Sequence, residues 1–166
     1  RFVQVFDGRG NPVEVAYYGP DGEPTLHRDG YARVALTYDV RGNRTEVSYY
    51  GVDGEPTLSR NGYARFTARF DEHGNLIEEA CFGIDGEPVL QPNGMSRFEA
   101  EYDSKGNLLR NAYFGVDGKP TLSQEGIAVV TFGYDAAGNR ARYAYLGCDA
   151  APILNNDGVA GIEIDF

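Results

Sequence analysis

The chain of 166 residues, 42% of them hydrophobic, is long enough for one folded domain or one short run of stacked units, and 15 Lys and Arg against 25 Asp and Glu give a formal net charge of −10. That acidic balance argues against DNA, RNA or an anionic membrane as the main partner, because each is bound through a basic surface. No segment approaches the roughly 18 consecutive apolar residues of a membrane span, so we expect no membrane insertion.

A period of 32 residues continues through the chain without gaps. Pro56, Leu58 and Gly62 have counterparts 32 residues away, and so does the Gly42-Asn43 pair. Such a period predicts an array in which no single unit can bury its apolar face alone. We therefore expect residues 1–166 to form a single repeat array, with units at roughly 1–30 (partial), 31–62, 63–94, 95–126, 127–158 and 159–166 (partial).

Each unit contains an alternating segment, which we call strand A. From Tyr63 to Phe70 the even positions are apolar and the odd positions are polar or amphipathic. This is the period of a half-buried β-strand. The same phase holds in the other copies, whose apolar positions are Ala32, Val34, Leu36 and Tyr38; Phe98, Ala100 and Tyr102; Ala128, Val130, Phe132 and Tyr134; and Ala160, Ile162, Ile164 and Phe166.

A turn and a second strand follow each strand A. Asp39 at the first place of the turn and Gly42 at the fourth predict a type I turn that ends in a left-handed glycine. Strand B then covers residues 44–50. If the first and last residues of the turn lie opposite each other, Arg33 pairs with Tyr49. Arg–Tyr contacts of this kind on the outer face would each stabilise the sheet by about 0.5–1 kcal/mol.

Residues 51–62 connect each hairpin to the next. Pro56 fixes its own φ and favours extended geometry in the residue before it. Leu58 is the one large apolar residue of the segment's second half, so we expect it to be buried beneath the sheet. In the last unit Ala150 replaces the turn glycine, as at the edge of an array. The predicted fold is all-β: tandem 32-residue β-hairpin repeats forming a twisted antiparallel strip or a β-solenoid, with little or no helix.

The end of strand A, its turn and strand B together read Y/F-D-x-x-G-N-x-x-x-x-x-Y, as in the segment from Tyr134 to Tyr145. This pattern resembles the tyrosine–aspartate (YD) repeats of bacterial Rhs proteins and related polymorphic-toxin shells. The resemblance covers about half of each unit. It implies β-hairpins that wind into a strip, enclose a cargo or present a cell-surface face, and that carry no catalysis of their own.

The sequence offers no evident metal or catalytic site. The acidic turns lack the alternating oxygen ligands of a calcium loop, and Arg41 lies inside one of them. His27 and His73 occupy different columns of the repeat, without partners at metal-binding spacing. No serine stands in a nucleophile motif. We therefore expect no metal, no cofactor and no enzymatic activity.

Six tyrosines are the candidate binding residues, because they fall on positions predicted to face outward, and they are Tyr17, Tyr31, Tyr49, Tyr63, Tyr113 and Tyr145. Aromatic rows on a β-surface stack on sugars or dock a protein. The alternative is that these tyrosines cover the sheet and hold its register, since cross-strand aromatic pairs stabilise sheets in any case.

The predicted function is a structural or protein-binding role in a larger bacterial surface or secreted protein. Its partners would be another protein or neighbouring domains of the same chain, and its location extracellular or at the cell surface. The alternative function is glycan binding along the exposed tyrosine row.

Overall fold

The computed structural model describes residues 1–163, which form one sheet of eleven antiparallel strands. The strands are β1 (Phe2–Phe6), β2 (Pro12–Tyr17), β3 (Arg33–Tyr38), β4 (Arg44–Tyr50), β5 (Arg65–Phe70), β6 (Leu76–Phe82), β7 (Arg97–Tyr102), β8 (Leu108–Phe114), β9 (Val129–Tyr134), β10 (Arg140–Leu146) and β11 (Gly161–Glu163). Their order in the sheet is their order in the sequence, so the array is an open strip and not a closed solenoid. Ile164 and Phe166, predicted to end the last strand, lie outside the described residues.

Within residues 1–163 every regular element is a strand, which confirms the all-β prediction. A helix long and apolar enough to cross a membrane is not found in this part of the chain.

The predicted hairpin turn is present in every unit. In the turn that joins β3 to β4, Gly42 N donates to Asp39 O at 3.1 Å, and Asp39 N donates to Asn43 O at 2.9 Å. Gly42 has a φ of 90°. The Asp39 carboxylate also accepts hydrogen bonds from the amides of Arg41 and Asn43, both at 2.9 Å. The turn residues thus close the hairpin through backbone and side chain together. The equivalent glycines, all with positive φ, are Gly10, Gly74, Gly106 and Gly138.

The predicted cross-strand register is wrong by one residue. Arg33 pairs with Tyr50 and not with Tyr49, because β4 carries an additional residue, Thr45, that forms a β-bulge next to the turn. A bulge places two residues of one strand opposite one residue of its partner, which exchanges the faces of everything beyond it. Every hairpin has this irregularity, and the extra residues are Val13, Thr45, Ile77, Leu109 and Ala141.

One face of the sheet carries a repeated ionic and aromatic contact. The Arg33 guanidinium carbon lies 3.8 Å from the centroid of the Tyr50 ring, and Arg33 also donates to Glu14 at 3.1 Å. The predicted arginine–aromatic contact therefore exists, with the neighbouring aromatic column as its partner. Two further units repeat it, with the sets Glu46, Arg65 and Phe82 and Glu78, Arg97 and Phe114. The next unit replaces all three groups, by Arg110, Val129 and Leu146.

Each connector contains two more turns with the same hydrogen bonding as the hairpin turn. Gly51 N donates to Glu55 O at 2.8 Å, and Ser59 N donates to Tyr63 O at 2.9 Å. Leu58 lies between these two turns and is 43% exposed. The predicted burial of the leucine column is therefore wrong. The connector places this column at the surface, with exposed fractions of 43–62% for Leu26, Leu58, Leu90, Leu122 and Leu154.

A small residue near the start of strand A is instead the buried position that repeats in four successive units. Ala32, Ala64 and Ala128 are at most 3% exposed, and Ser96 takes the same place in the third full unit at 1%. Small side chains there allow the connector and the sheet to approach closely, and each residue's backbone is paired: Ala64 N, for example, donates to Phe82 O at 2.8 Å. A single sheet with this core depends on contacts between neighbouring units for much of its burial.

Candidate binding surface

Four of the six predicted tyrosines form one continuous row on the face opposite the arginines. Ring centroids are 6.0 Å apart for Tyr17 and Tyr31, 4.8 Å for Tyr31 and Tyr49, and 5.9 Å for Tyr49 and Tyr63. Tyr17 and Tyr49 come from strands, whereas Tyr31 and Tyr63 come from the last turn of the connectors. The two kinds of ring alternate, so each connector tyrosine fills the space between two strand residues.

The row is partly buried, which corrects the expectation that these tyrosines face outward with the arginines. The bulge moves Tyr49 to the face of Val34, its cross-strand neighbour. All six tyrosines are half-buried. Burial, followed by the nearby Tyr63, raises the pKa of Tyr49, and burial with the nearby Tyr17 raises the pKa of Tyr31. The rings of this part of the row pack against one another.

His27 belongs to the same row. Its ring stacks on Tyr17 with centroids 4.6 Å apart and an interplanar angle of 29°. Its Nδ1 lies 3.2 Å from a carboxylate oxygen of Asp29. His27 is therefore packed into the aromatic row through its ring and held by Asp29 at its Nδ1. No group of three or more His, Cys, Asp or Glu side chains with the geometry to hold a metal ion occurs among the described residues.

The other two predicted tyrosines, Tyr113 and Tyr145, are not joined to the row. Tyr113 packs near Phe98 at 6.1 Å, and Tyr145 packs near Tyr143 at 5.2 Å. The connector position that carries Tyr31 and Tyr63 is occupied by Met95, Ile127 and Val159 in the later units. The alternating pattern thus ends after Tyr63, and no connector aromatic stands between Tyr113 and Tyr145.

A groove of about 330 Å³ lies on this face, where the row is interrupted. Its lining is a mixture of aromatic and polar side chains, namely Asn111, Tyr113, Glu125, Val130, Phe132, Arg140, Tyr143 and Tyr145. A second depression of about 230 Å³ adjoins it and shares Tyr113 and Glu125. Small-molecule sites in proteins commonly have volumes of about 300–1,000 Å³ and combine aromatic walls with a few polar groups.

Two polar groups of the groove have distinctive environments. Among the described residues, the Asn111 side-chain oxygen is buried without a hydrogen-bond partner. Burial, and then the charge of Glu125, raises the pKa of Tyr113. An unpaired buried acceptor destabilises the folded state unless something donates to it. The Asn111 oxygen is therefore an acceptor that no donor among the described residues satisfies.

An aliphatic row runs along the connectors. Leu58 and its four equivalents are each at least 43% exposed. Connectors of successive units are in contact at two of these leucines, since a Cβ built on Gly30 would lie 3.3 Å from the carbonyl oxygen of Leu58 and one built on Gly94 would lie 3.5 Å from that of Leu122. Successive leucines are therefore separated by one unit, which is two strands or about 10 Å in a sheet. We call this set, Leu26, Leu58, Leu90, Leu122 and Leu154, the leucine row.

Of the residues that line the groove, Tyr113 and Tyr145 were predicted as binding residues from the sequence. Asn111, Glu125, Phe132, Arg140 and Tyr143 were not predicted. The available signal was the departure of single copies from the repeat. Asn111 stands in a column that carries Val15 and Val47, and Tyr143 stands in the same column one unit later. The column is aliphatic in its first two copies and then changes to Glu79, Asn111 and Tyr143, which marks a local difference in surface.

No family model matches the chain, and no curated protein matches it. Among solved structures, the chain is similar to part of TcdB2-TccC3, with a TM-score of 0.45 and 15% identity over 87% of this chain and 7% of that one. For TcdB2-TccC3-TEV the TM-score is 0.34, at 15% identity, over 97% and 9% of the two chains. For TcdB2-TccC3-Cdc42 it is 0.21, at 14% identity, over 87% and 10%. This chain thus spans a tenth or less of each of these three chains. Its own fold defines its class, an open array of antiparallel β-hairpin repeats.

Proposed function

We propose that this chain is a non-catalytic repeat module with a structural or protein-binding role in a larger bacterial surface or secreted protein. The observation that carries the proposal is the leucine row, which repeats one exposed aliphatic side chain per unit along the array. Scattered exposed leucines need no explanation, whereas an aligned apolar series is typical of a surface that meets another protein or a neighbouring domain.

The bacterial and surface context comes from the YD-like pattern of the sequence. In an array of this kind the hairpins supply a rigid surface, and the repeat spacing sets the distance between contact points. The partner would accordingly be extended along the array, as a neighbouring domain of the same chain or a separate protein.

A photo-cross-linking residue placed at Leu58 or Leu90 in the full-length protein tests this proposal in the native host. We expect a discrete adduct from each position, mapped by mass spectrometry to one partner or one neighbouring domain. The control is the same residue at Val40, which is 82% exposed but lies in a hairpin turn away from the connectors. Absence of adducts at the leucines, or equal adducts at Val40, would contradict the proposal.

Glycan binding is a second proposed function. The groove beside Tyr113 favours it, because it combines aromatic rings with side chains that can bind hydroxyl groups. The continuous row from Tyr17 to Tyr63 favours it less, since those rings are packed against one another.

A further inference from the structure

We propose that the groove between Tyr113 and Tyr145 binds a neutral oligosaccharide of hexose or N-acetylhexosamine units. This proposal gives the second proposed function a location and rests on it. The groove is formed by strands β8, β9 and β10 together with Glu125 of a connector, so it belongs to two adjacent units and not to every repeat.

The groove exists because the packing pattern changes at one position. In the first two units a connector tyrosine fills the space between the strand-B residues, as Tyr31 does between Tyr17 and Tyr49. The corresponding residue before β9 is Ile127, which is 1% exposed and reaches less far than a tyrosine. The space that a tyrosine ring occupies elsewhere in the array is therefore open to a ligand here.

The lining fits the surface of a sugar. A pyranose ring has faces of C–H groups that pack on aromatic rings, and Tyr113, Tyr143 and Tyr145 supply such rings. Its hydroxyl groups need donors and acceptors once water is removed. Asn111 lines the groove with an amide side chain and Glu125 lines it with a carboxylate, and both groups bind hydroxyls.

The charges favour a neutral ligand over an acidic one. Glu125 lines both depressions, and the whole chain carries a formal net charge of −10. The one cation of the groove, Arg140, lies with its guanidinium carbon 5.5 Å from the centroid of the Phe132 ring and 5.8 Å from that of Tyr143. Within the groove the charges of Arg140 and Glu125 offset each other, so a uronate or sialate meets mainly the negative charge of the chain as a whole.

The second depression extends the binding surface beyond one sugar unit. It continues from Tyr113 and Glu125 towards Met95 and Gln124. Together the two depressions form a path over Tyr113, which suits a chain of two or three sugar units. A single hexose would leave one of the two empty and bind more weakly.

Saturation-transfer NMR with four neutral trisaccharides, the glucose-based cellotriose and maltotriose, mannotriose and chitotriose, tests the proposal, with trigalacturonate as the acidic counterpart. Two substitutions restore residues that sister units already carry, so they preserve the fold. Ile127→Tyr introduces the tyrosine found at Tyr31 and Tyr63 of the continuous row. Asn111→Val introduces the valine found at Val15 and Val47. We expect at least one neutral trisaccharide to bind at millimolar concentration or below, Ile127→Tyr to abolish binding, and Asn111→Val to weaken it about tenfold.

Tyr49→Ala, in the continuous row from Tyr17 to Tyr63, is the matched control and should leave binding unchanged. Binding that survives Ile127→Tyr, or that disappears with Tyr49→Ala, would place the glycan elsewhere, so the groove would be wrong while glycan binding stands. If no neutral trisaccharide binds the unmodified chain, or if only trigalacturonate or a peptide binds, both this proposal and neutral-glycan binding are overturned.

Discussion

Ala150 occupies a backbone conformation that the other units assign to glycine. Its φ is 61°, and the equivalent residues Gly22, Gly54, Gly86 and Gly118 all have positive φ. The chain keeps the turn although alanine replaces the glycine, with Ala150 N donating to Gly147 O at 3.0 Å. A left-handed conformation costs a residue with a Cβ about 1 kcal/mol relative to glycine.

Ala150→Gly should therefore stabilise the chain by up to about 1 kcal/mol, offset in part by the greater freedom of glycine in the unfolded state. The free energy of unfolding in urea measures this effect. The converse substitution, Gly54→Ala, meets no steric contact within 4 Å and should destabilise by a similar amount through backbone conformation alone. A stabilising Gly54→Ala would show that the turn does not require the left-handed conformation.

The hairpin-turn aspartates make the array sensitive to acid. Hydrogen bonds from the side chain and backbone of Asn43 hold the pKa of Asp39 below its ordinary value, and Asp7, Asp71, Asp103 and Asp135 have the same arrangement. A carboxyl whose pKa is lower in the folded state stabilises folding fully above its unfolded pKa of about 3.9, and this contribution is lost as the pH falls through the folded value.

We expect the urea midpoint to fall steeply below about pH 4, and Asp39 to titrate below 3.9 when its carboxyl carbon is followed by NMR. Asn43→Ala removes the side-chain donor and should move the pKa of Asp39 upward, towards the ordinary value. The other four aspartates serve as internal controls, because their asparagine partners are unchanged. An unshifted Asp39 in the Asn43→Ala chain would disprove the proposed cause.

At the scale of the strand and turn, the sequence predicts what depends on local chemistry. The alternation of apolar and polar residues predicted the strands, and Asp39 with Gly42 predicted the hairpin turn and the positive φ of its glycine. The register was missed because Thr45, the bulged residue, has no distinctive side chain in its column, where Val13 and Ala141 also stand. One unseen bulge then reversed the predicted face of Tyr49.

The predicted burial of the leucine row was wrong for a different reason. A large apolar residue repeated at a fixed position suggests a core, yet nothing in a single sequence tells whether such a residue is covered by its own chain or by a partner. Leu58 is 43% exposed, so Leu58→Ala should destabilise by well under the 2–5 kcal/mol of a buried leucine. The groove was likewise beyond prediction from periodicity, because it depends on Ile127, Asn111 and Tyr143, which stand at positions where the units differ from one another.

Backbone hydrogen bonds between successive connectors form a ladder, which is interrupted at one unit. Arg60 N donates to Asp29 O at 2.7 Å, Gln124 N to Asn93 O at 3.1 Å, and Asn156 N to Glu125 O at 3.0 Å. The corresponding residue between the first two of these is Pro92, which has no N–H group. The turn at Gly62 also differs from those at Gly30 and Gly94, because a Cβ there would meet nothing within 4 Å.

Pro92→Gln should extend the ladder, since Gln124 occupies the same column. The restored hydrogen bond contributes about 0.5–1.5 kcal/mol, and the greater freedom of the unfolded chain removes about 0.4–1 kcal/mol. The free energy of unfolding is therefore a poor measurement, and native-state hydrogen exchange is the better one. The amide at position 92 should be protected to the same degree as that of Gln124, measured in the same chain. Exchange at the rate of an open loop would show that the interruption has another cause.

At the scale of the whole molecule, each strand pairs with its sequence neighbours, so contacts are local along the array. The same Arg–aromatic pairing recurs from hairpin to hairpin: Arg33 with Tyr50 and Arg65 with Phe82. The stability of such a chain is close to a sum over units and over the interfaces between them. A unit should accordingly be removable without loss of the fold.

Deletion of residues 42–73 joins Arg41 to Gly74, restores a complete hairpin turn and places β3 beside β6. Arg33 then pairs with Phe82 in place of Tyr50, so the cross-strand contact persists. The chain of 134 residues (166 − 32) should fold with its strand content intact by circular dichroism and with a lower melting temperature, because one interface is gone.

Deletion of residues 42–57 is the control. It removes the hairpin turn and the single strand β4, which reverses the direction of every later strand and exchanges the two faces of the sheet, so this chain should aggregate. Equal failure of the two deletions would mean that the sheet is one indivisible domain and that the units are repeats in sequence only.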